Sequence, residues 1–244
     1  MAKLYHKKED LSMAIRTYLA MTASEFAKAD PLPPHVAWMA CHFSPYGTGL
    51  SNLPFCLPPD SLLILNDRIP IQGHDPERIG IQLKNTAAAL GCSGILLDFQ
   101  RPNCQETQIL ADHLVRTLPC PVCVSDLYAK DLDCPVFLPP CSHHVHLENH
   151  IEPWKDRDIW LDLARNAEMV TVTSCGSSTI PLPLGELPEG SHEAPTLHAH
   201  YFKECVGDSI HFTLWRTQED LQALCQQAET LGIRNTVMLL SDTC

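Results

Sequence analysis

The chain has 244 residues, 45% of them hydrophobic and 19% charged, a balance that supports a large core and excludes extended disorder. Its formal charge of −12 at pH 7 repels phosphate backbones and anionic lipid surfaces, so neither nucleic acid nor a membrane is an expected partner. No run of about 18 uninterrupted apolar residues is available to span a bilayer, and the twelve cysteines, with no clean secretory leader ahead of them, are expected as reduced, buried thiols of a soluble cytoplasmic protein.

From the N-terminus, residues from about 9 to 28 read as an amphipathic helix that stops at ADPLPP (29–34). His35–Cys41 reads as a first strand, followed by a loop rich in Gly, Pro and aromatics (42–60) that is too elaborate for a connector and suits ligand binding. Ser61–Asn66 is the next strand. A helix then opens with Asp75 as cap and Pro76 at its first position, runs to Leu90 and stops at Gly91. Gly94–Phe99 is a third strand, and Gln105–Leu118 a helix whose Ile109, Leu110, His113, Leu114 and Leu118 fall near one face.

The second half is less regular. Short strands are expected at Pro121–Ser125 and Cys134–Leu138. Asp158–Ala164 with Glu168–Thr173, and His198–Cys205 with Ser209–Arg216, read as two hairpins, with a mobile Ser/Pro/Gly-rich loop at 176–195 between them. Thr217 opens a helix with Leu221, Leu224 and Ala228 on its apolar face, and Asn235–Leu240 is a last strand.

One barrel strand from each hairpin brings the count to eight. The expected fold is therefore α/β, a distorted or incomplete (β/α)8 TIM barrel with β-hairpin insertions in its second half, in one domain over 1–244 with an N-terminal helix. The alternative, an open doubly wound sheet, lacks a glycine-rich phosphate loop after any strand.

Alternation places Gly94, Leu96, Asp98 and Gln100 on one face of the third predicted strand, and Ile95, Leu97 and Phe99 on the other. The second set meets the helices, so Asp98 and Gln100 point into the barrel near the strand's C-terminal end, where barrel enzymes place reacting groups. A carboxylate there is costly unless it is paired or used. Tyr46 and Phe43 of the first loop, Asn66 and Asp67 at the end of the second predicted strand, and Trp160 and Asp162 on a later one are the expected ligand-binding residues. Trp38, on the first strand, reads as core.

Ser93–Gln100, SGILLDFQ, resembles the strand signature DGxDxDxE of the chitinase-type, family 18 glycoside hydrolases. Asp98 falls on its last Asp and Gln100 on its catalytic Glu, while Ser93 and Leu96 stand at the two earlier Asp positions. The resemblance implies a sugar-binding barrel in which the Glu protonates the glycosidic oxygen and the neighbouring Asp orients the substrate's own acetamido group. Gln100 has no acidic proton to give, so what is implied is a carbohydrate or related polar ligand, including an oligosaccharide, with weak or no hydrolysis unless Asp67, Asp126, Asp162 or Asp242 supplies the acid. The family carries this signature on its fourth barrel strand; the present count makes it the third.

Two other readings compete. SHHVHLENH (142–150) contains His143, His144, His146, Glu148 and His150, with His198 and His200 in a later strand, and i, i+4 spacing would put His146 and His150 on one helical face. That pattern supports a metal-dependent hydrolase, although HxH lies late in the chain and no HExxH is present, so no metal or other cofactor is the expectation. The other reading is a non-catalytic interaction scaffold. CPVC (120–123) enters a strand instead of opening a helix, which argues for two inert thiols.

Overall fold

A computed structural model describes residues 15–47, 49–183 and 188–243. Eight parallel strands close into a barrel: β1 (Arg16–Met21), β2 (Val36–Phe43), β4 (Leu62–Asn66), β5 (Gly94–Asp98), β6 (Val122–Ser125), β7 (Val136–Leu138), β8 (Ile159–Leu163) and β14 (Asn235–Leu239). The barrel shuts because β1 pairs in parallel with both β14 and β2. β3 (Leu50–Ser51) adds a short antiparallel arm to the end of β2.

The first strand corrects the sequence reading. Residues 16–21, expected in a helix, are β1, and only α1 (Ala23–Lys28) is helical; residues 9–14 of that expected helix lie outside the described residues. Tyr18 and Ala20 face the lumen, and the apolar spacing of this short segment fits a strand as well as a helix turn. The usable signal was Thr22 with Glu25, a capping box that starts the helix after the strand: the Thr22 hydroxyl accepts from the Glu25 N–H and the Glu25 carboxylate from the Thr22 N–H. With β1 counted, β5 is the fourth barrel strand.

Helices cover the barrel where the sequence is periodic. α2 (Pro76–Leu90) starts on Asp75, whose carboxylate accepts from the Glu77 N–H, and ends at Gly91 in the left-handed conformation. α3 (Gln105–Thr117) buries Thr107, Leu110, Ala111 and Leu114; Ile109, expected on that face, is exposed. α4 (Asp126–Ala129) and α5 (Leu147–Ile151) are single turns, so the barrel lacks full helices in its middle.

Between β8 and β14 lies a separate five-stranded antiparallel sheet, β10 (Gly176–Leu182), β9 (Ala167–Thr173), β13 (Ser209–Trp215), β12 (Ala199–Val206) and β11 (His192–Ala194), in that order. The β12–β13 hairpin forms as expected, but it gives no strand to the barrel; the eighth barrel strand is β1 instead. The other expected hairpin is not formed: its first arm is β8, in the barrel, and its second is β9, which pairs with β10 and β13. The stretch expected as a mobile loop supplies β10 and β11. The chain then returns through α6 (Gln218–Thr230), capped by Thr217 and burying Leu221, Leu224 and Ala228.

Strand alternation divides the core in two. Inward-facing Tyr18, Ala37, Leu62, Leu96, Cys123, Phe137, Trp160 and Val237 fill the lumen, while Ile95, Leu97, Phe99 and their counterparts on other strands pack outward against the helices. Trp160 lies on Tyr18 with ring centroids 6.0 Å apart and planes 7° from parallel, which fills the lumen with aromatic surface instead of a pore. Among the described residues, no helix is long and apolar enough to cross a membrane, and every cysteine is a free thiol.

Candidate functional site

A cleft of about 500 Å³ opens where Asp98, Gln100, Asn66, Asp67 and Asp162 converge at the C-terminal ends of the barrel strands. It adjoins a recess of about 370 Å³ that shares Asp98, Gln100, Phe137 and Asp162 and adds Asp126. Five residues expected from the sequence therefore meet here.

Gln100 follows the end of β5, and its amide Nε2 donates to the Asp98 carboxylate, 3.2 Å from Oδ1 and 3.4 Å from Oδ2. Burial raises the Asp98 pKa; the Gln100 amide opposes that rise and the nearby Asp67 charge adds to it. Asp67 is itself committed to the backbone. Its Oδ1 accepts from the Gln100 N–H (3.0 Å) and its Oδ2 from the Arg101 N–H (2.9 Å), while the Arg101 guanidinium returns a bond to the Asp67 carbonyl (2.9 Å). Asp67 thus pins the turn that presents Gln100.

Asn66 also serves the scaffold. Its Nδ2 donates to the carbonyls of Met39 (2.9 Å) and Cys41 (3.0 Å), on either side of an irregularity in β2 where one extra residue separates Trp38 and Cys41 relative to β4. The bulge resets the strand's alternation. Met39, Ala40 and His42 line the cleft, whereas Cys41 and Phe43 turn outward into the core.

This parity change overturns one expectation and brings in a residue that was not foreseen. Phe43, expected at the ligand, is fully buried against Phe99 and His74, with centroids 6.0 and 5.2 Å away. His42, which simple alternation aims outward, faces the cleft: its Nδ1 donates to the Phe43 carbonyl (2.8 Å) and its Nε2 accepts from Asn52 Nδ2 (3.1 Å). Trp160 lies in the barrel interior on Tyr18, and Tyr46 stands 84% exposed outside the cleft lining. Sequence reasoning missed Thr22, His42, Asn52 and Arg68 on the cleft wall. Only Thr22 carried a local signal, as the cap of α1.

Asp162, on β8, has a carboxyl pushed up to about 7 by burial, then by the charges of Asp98 and Asp242. Its side chain is partly exposed in the cleft lining, and the protein around it removes enough water to disfavour the charge. Asp126 is also raised, chiefly by burial, whereas Asp242 is occupied by the Arg165 N–H at 3.0 Å.

The histidines do not assemble. Among the described residues, no group of three or more His, Cys, Asp or Glu side chains could hold a metal ion. His144 Nδ1 meets Glu168 at 2.8 Å, and the buried His143 ring comes within 3.5 Å of the same carboxylate. His146 bonds the Thr196 carbonyl (3.2 Å), His150 the Pro139 carbonyl (2.9 Å), and His200 Asp220 (2.9 Å). α5 begins at Leu147, so His146 is its cap and does not share a helical face with His150; His198 sits in a left-handed turn before β12.

No family model and no curated protein matches the sequence. Solved structures do resemble the fold. A chitinase from Chromobacterium violaceum superimposes with a TM-score of 0.58 at 12% identity, covering 95% of this chain and 96% of that one. A double mutant of the family 18 chitinase from Cycas revoluta, carrying one Glu-to-Gln exchange and bound to (GlcNAc)4, gives 0.56 at 10% identity, covering 91% and 94%. The spore cortex-lytic enzyme SleL of Bacillus cereus gives 0.53 at 10% identity, covering 92% of this chain and 70% of that one. At these identities the likeness is one of fold: a TIM barrel like that of the family 18 glycoside hydrolases.

Proposed function

We propose that this chain is a glycoside-hydrolase-like barrel that binds a carbohydrate or related polar ligand in the cleft, with weak or no hydrolysis. The observation that carries the reading is the Gln100–Asp98 pair at the end of the fourth barrel strand. Asp98 matches the last Asp of the family signature and Gln100 its Glu, and with β1 counted the strand number agrees as well.

The chemistry follows from the side chains. Gln100 keeps the size and reach of Glu, and its Oε1 accepts hydrogen bonds from ligand hydroxyls, but an amide has no proton to transfer to a leaving oxygen. The Asp98 carboxylate can accept an N–H or O–H of a ligand. His42, Asn52 and Arg68 bring further polar groups to a cleft whose floor is otherwise Leu96, Ile64 and Phe137, a mixture that suits a polar ring with apolar faces. A Cycas revoluta chitinase with Gln in place of a Glu holds a tetrasaccharide, which supports binding as the activity of an amide-bearing site.

The test is thermal unfolding with (GlcNAc)3 and (GlcNAc)4, together with turnover of an aryl N-acetylchitooligosaccharide by the parent and by Gln100→Glu. Sugar-induced stabilisation of the parent, and chromophore release that appears or rises in the variant, are expected. If neither protein is stabilised by sugar and neither releases chromophore, the carbohydrate reading is wrong.

A further inference from the structure

Among the described residues that line the cleft, one carboxyl group has no committed polar atom. Asp162 lines both the main cleft and the adjoining recess, and it makes no hydrogen bond or ion pair to any described residue. Its neighbours are all spent: Asp98 accepts from Gln100, Asp67 from two backbone N–H groups, and Asp242 from the Arg165 N–H.

We infer that Asp162 stands in the cleft as a neutral carboxylic acid and donates a hydrogen bond to an acceptor oxygen of the bound ligand. The choice of sugar as probe rests on the carbohydrate reading above; the protonation of Asp162 does not.

The charges around Asp162 are mostly of its own sign. Asp98 faces it from β5, Asp242 from the turn after β14 and Asp126 from α4 across the recess; His42 of β2 and Arg68, after β4, share the main cleft, and neither is paired with Asp162. A second anion at this depth would be both desolvated and repelled, as in carboxyl pairs that hold a single proton between them. The burial and the two named acids that push Asp162 to about 7 act in that direction. Gln100 donates its amide to Asp98, so a protonated Asp162 is the cleft's free donor of acidic character. The ligand it fits presents a neutral carbonyl, hydroxyl or ether oxygen there. A cationic group would instead require the carboxylate.

The experiment measures (GlcNAc)3 affinity by titration calorimetry at about pH 5.5 and about pH 8.5 for the parent and for Asp162→Asn, whose amide donates at both. Because (GlcNAc)3 is uncharged, affinity that requires the protonated acid falls roughly 30-fold by about pH 8.5 for a group at about 7, and Asp162→Asn shows no such fall. Parent affinity that is unchanged, or that strengthens as pH rises, overturns the inference and leaves the carbohydrate reading standing.

Absence of binding by both proteins at both pH values instead defeats the carbohydrate reading, and ligand-free unfolding then decides the state of Asp162. A folded pKa above the unfolded one means that the native state binds the extra proton. The contribution of Asp162 to parent stability must fall as pH rises from the ordinary Asp range through about 7, and level off above it. The advantage of Asp162→Asn over the parent therefore widens between about pH 5.5 and about pH 8.5. A gap that stays constant over that range overturns the inference.

Discussion

The Asp67 carboxylate holds the backbone of Gln100: its Oδ1 lies 3.0 Å from the Gln100 nitrogen and its Oδ2 2.9 Å from that of Arg101. The residue expected to touch ligand lines the cleft and also fixes the turn on which the amide is presented. Asp67→Ala removes a charged acceptor from two N–H groups at once, each such bond contributing about 1.5–3 kcal/mol. A loss of roughly 3–6 kcal/mol in urea unfolding is expected, with sugar-induced stabilisation abolished. Asp67→Asn, which keeps one acceptor oxygen, should lose about half as much. An Ala variant as stable as the parent would show that the turn is held by other contacts.

Asn66 maintains the bulge that turns His42 into the cleft. Asn66→Ala leaves the carbonyls of Met39 and Cys41 without its amide, for an expected cost of about 1–3 kcal/mol. Loosening the bulge also frees His42, so the His42 ring resonances should broaden or shift relative to the parent. Unchanged stability together with unchanged His42 resonances would mean that the strand keeps its irregularity without Asn66.

Glu168 links β9 to the loop before α5. Burial alone would raise its pKa, but the hydrogen bonds and charges of His143 and His144 outweigh burial and hold the carboxyl at about 2. A depressed carboxylate contributes stability that is present above its unfolded pKa and lost as pH falls towards the folded one. Glu168→Ala should therefore unfold about 2–4 kcal/mol more easily at neutral pH, with the deficit shrinking as pH drops from about 4.5 towards about 2. A deficit independent of pH would assign the loss to packing alone.

Much of the scaffold was legible because local signals and tertiary structure agreed. Asp75 with Pro76 and Gly91 bounded α2, Thr217 opened α6, and apolar runs at Leu62–Asn66 and Gly94–Asp98 became central strands. Legibility failed where one local pattern served two structures. Arg16–Met21 is short enough for its apolar spacing to suit helix or strand, and only the open edges of β14 and β2 decide between them. β8 and β9 are close in sequence and both strand-forming, yet belong to different sheets, which no turn residue between them announces.

Within the candidate site, the sequence alone determined that Asp98 and Gln100 face inward, because a side-chain period of two leaves no other course for a strand whose alternate residues are Ile95, Leu97 and Phe99. It also determined the amide at position 100. Tertiary structure decided the rest. Closure of the barrel through β1 made that strand the fourth, and one inserted residue in β2 exchanged Phe43 for His42 in the cleft. The protonation of Asp162 depends on burial and on acids brought to it from β5 and the end of the chain, and burial and long-range charge exist only once distant segments have packed together.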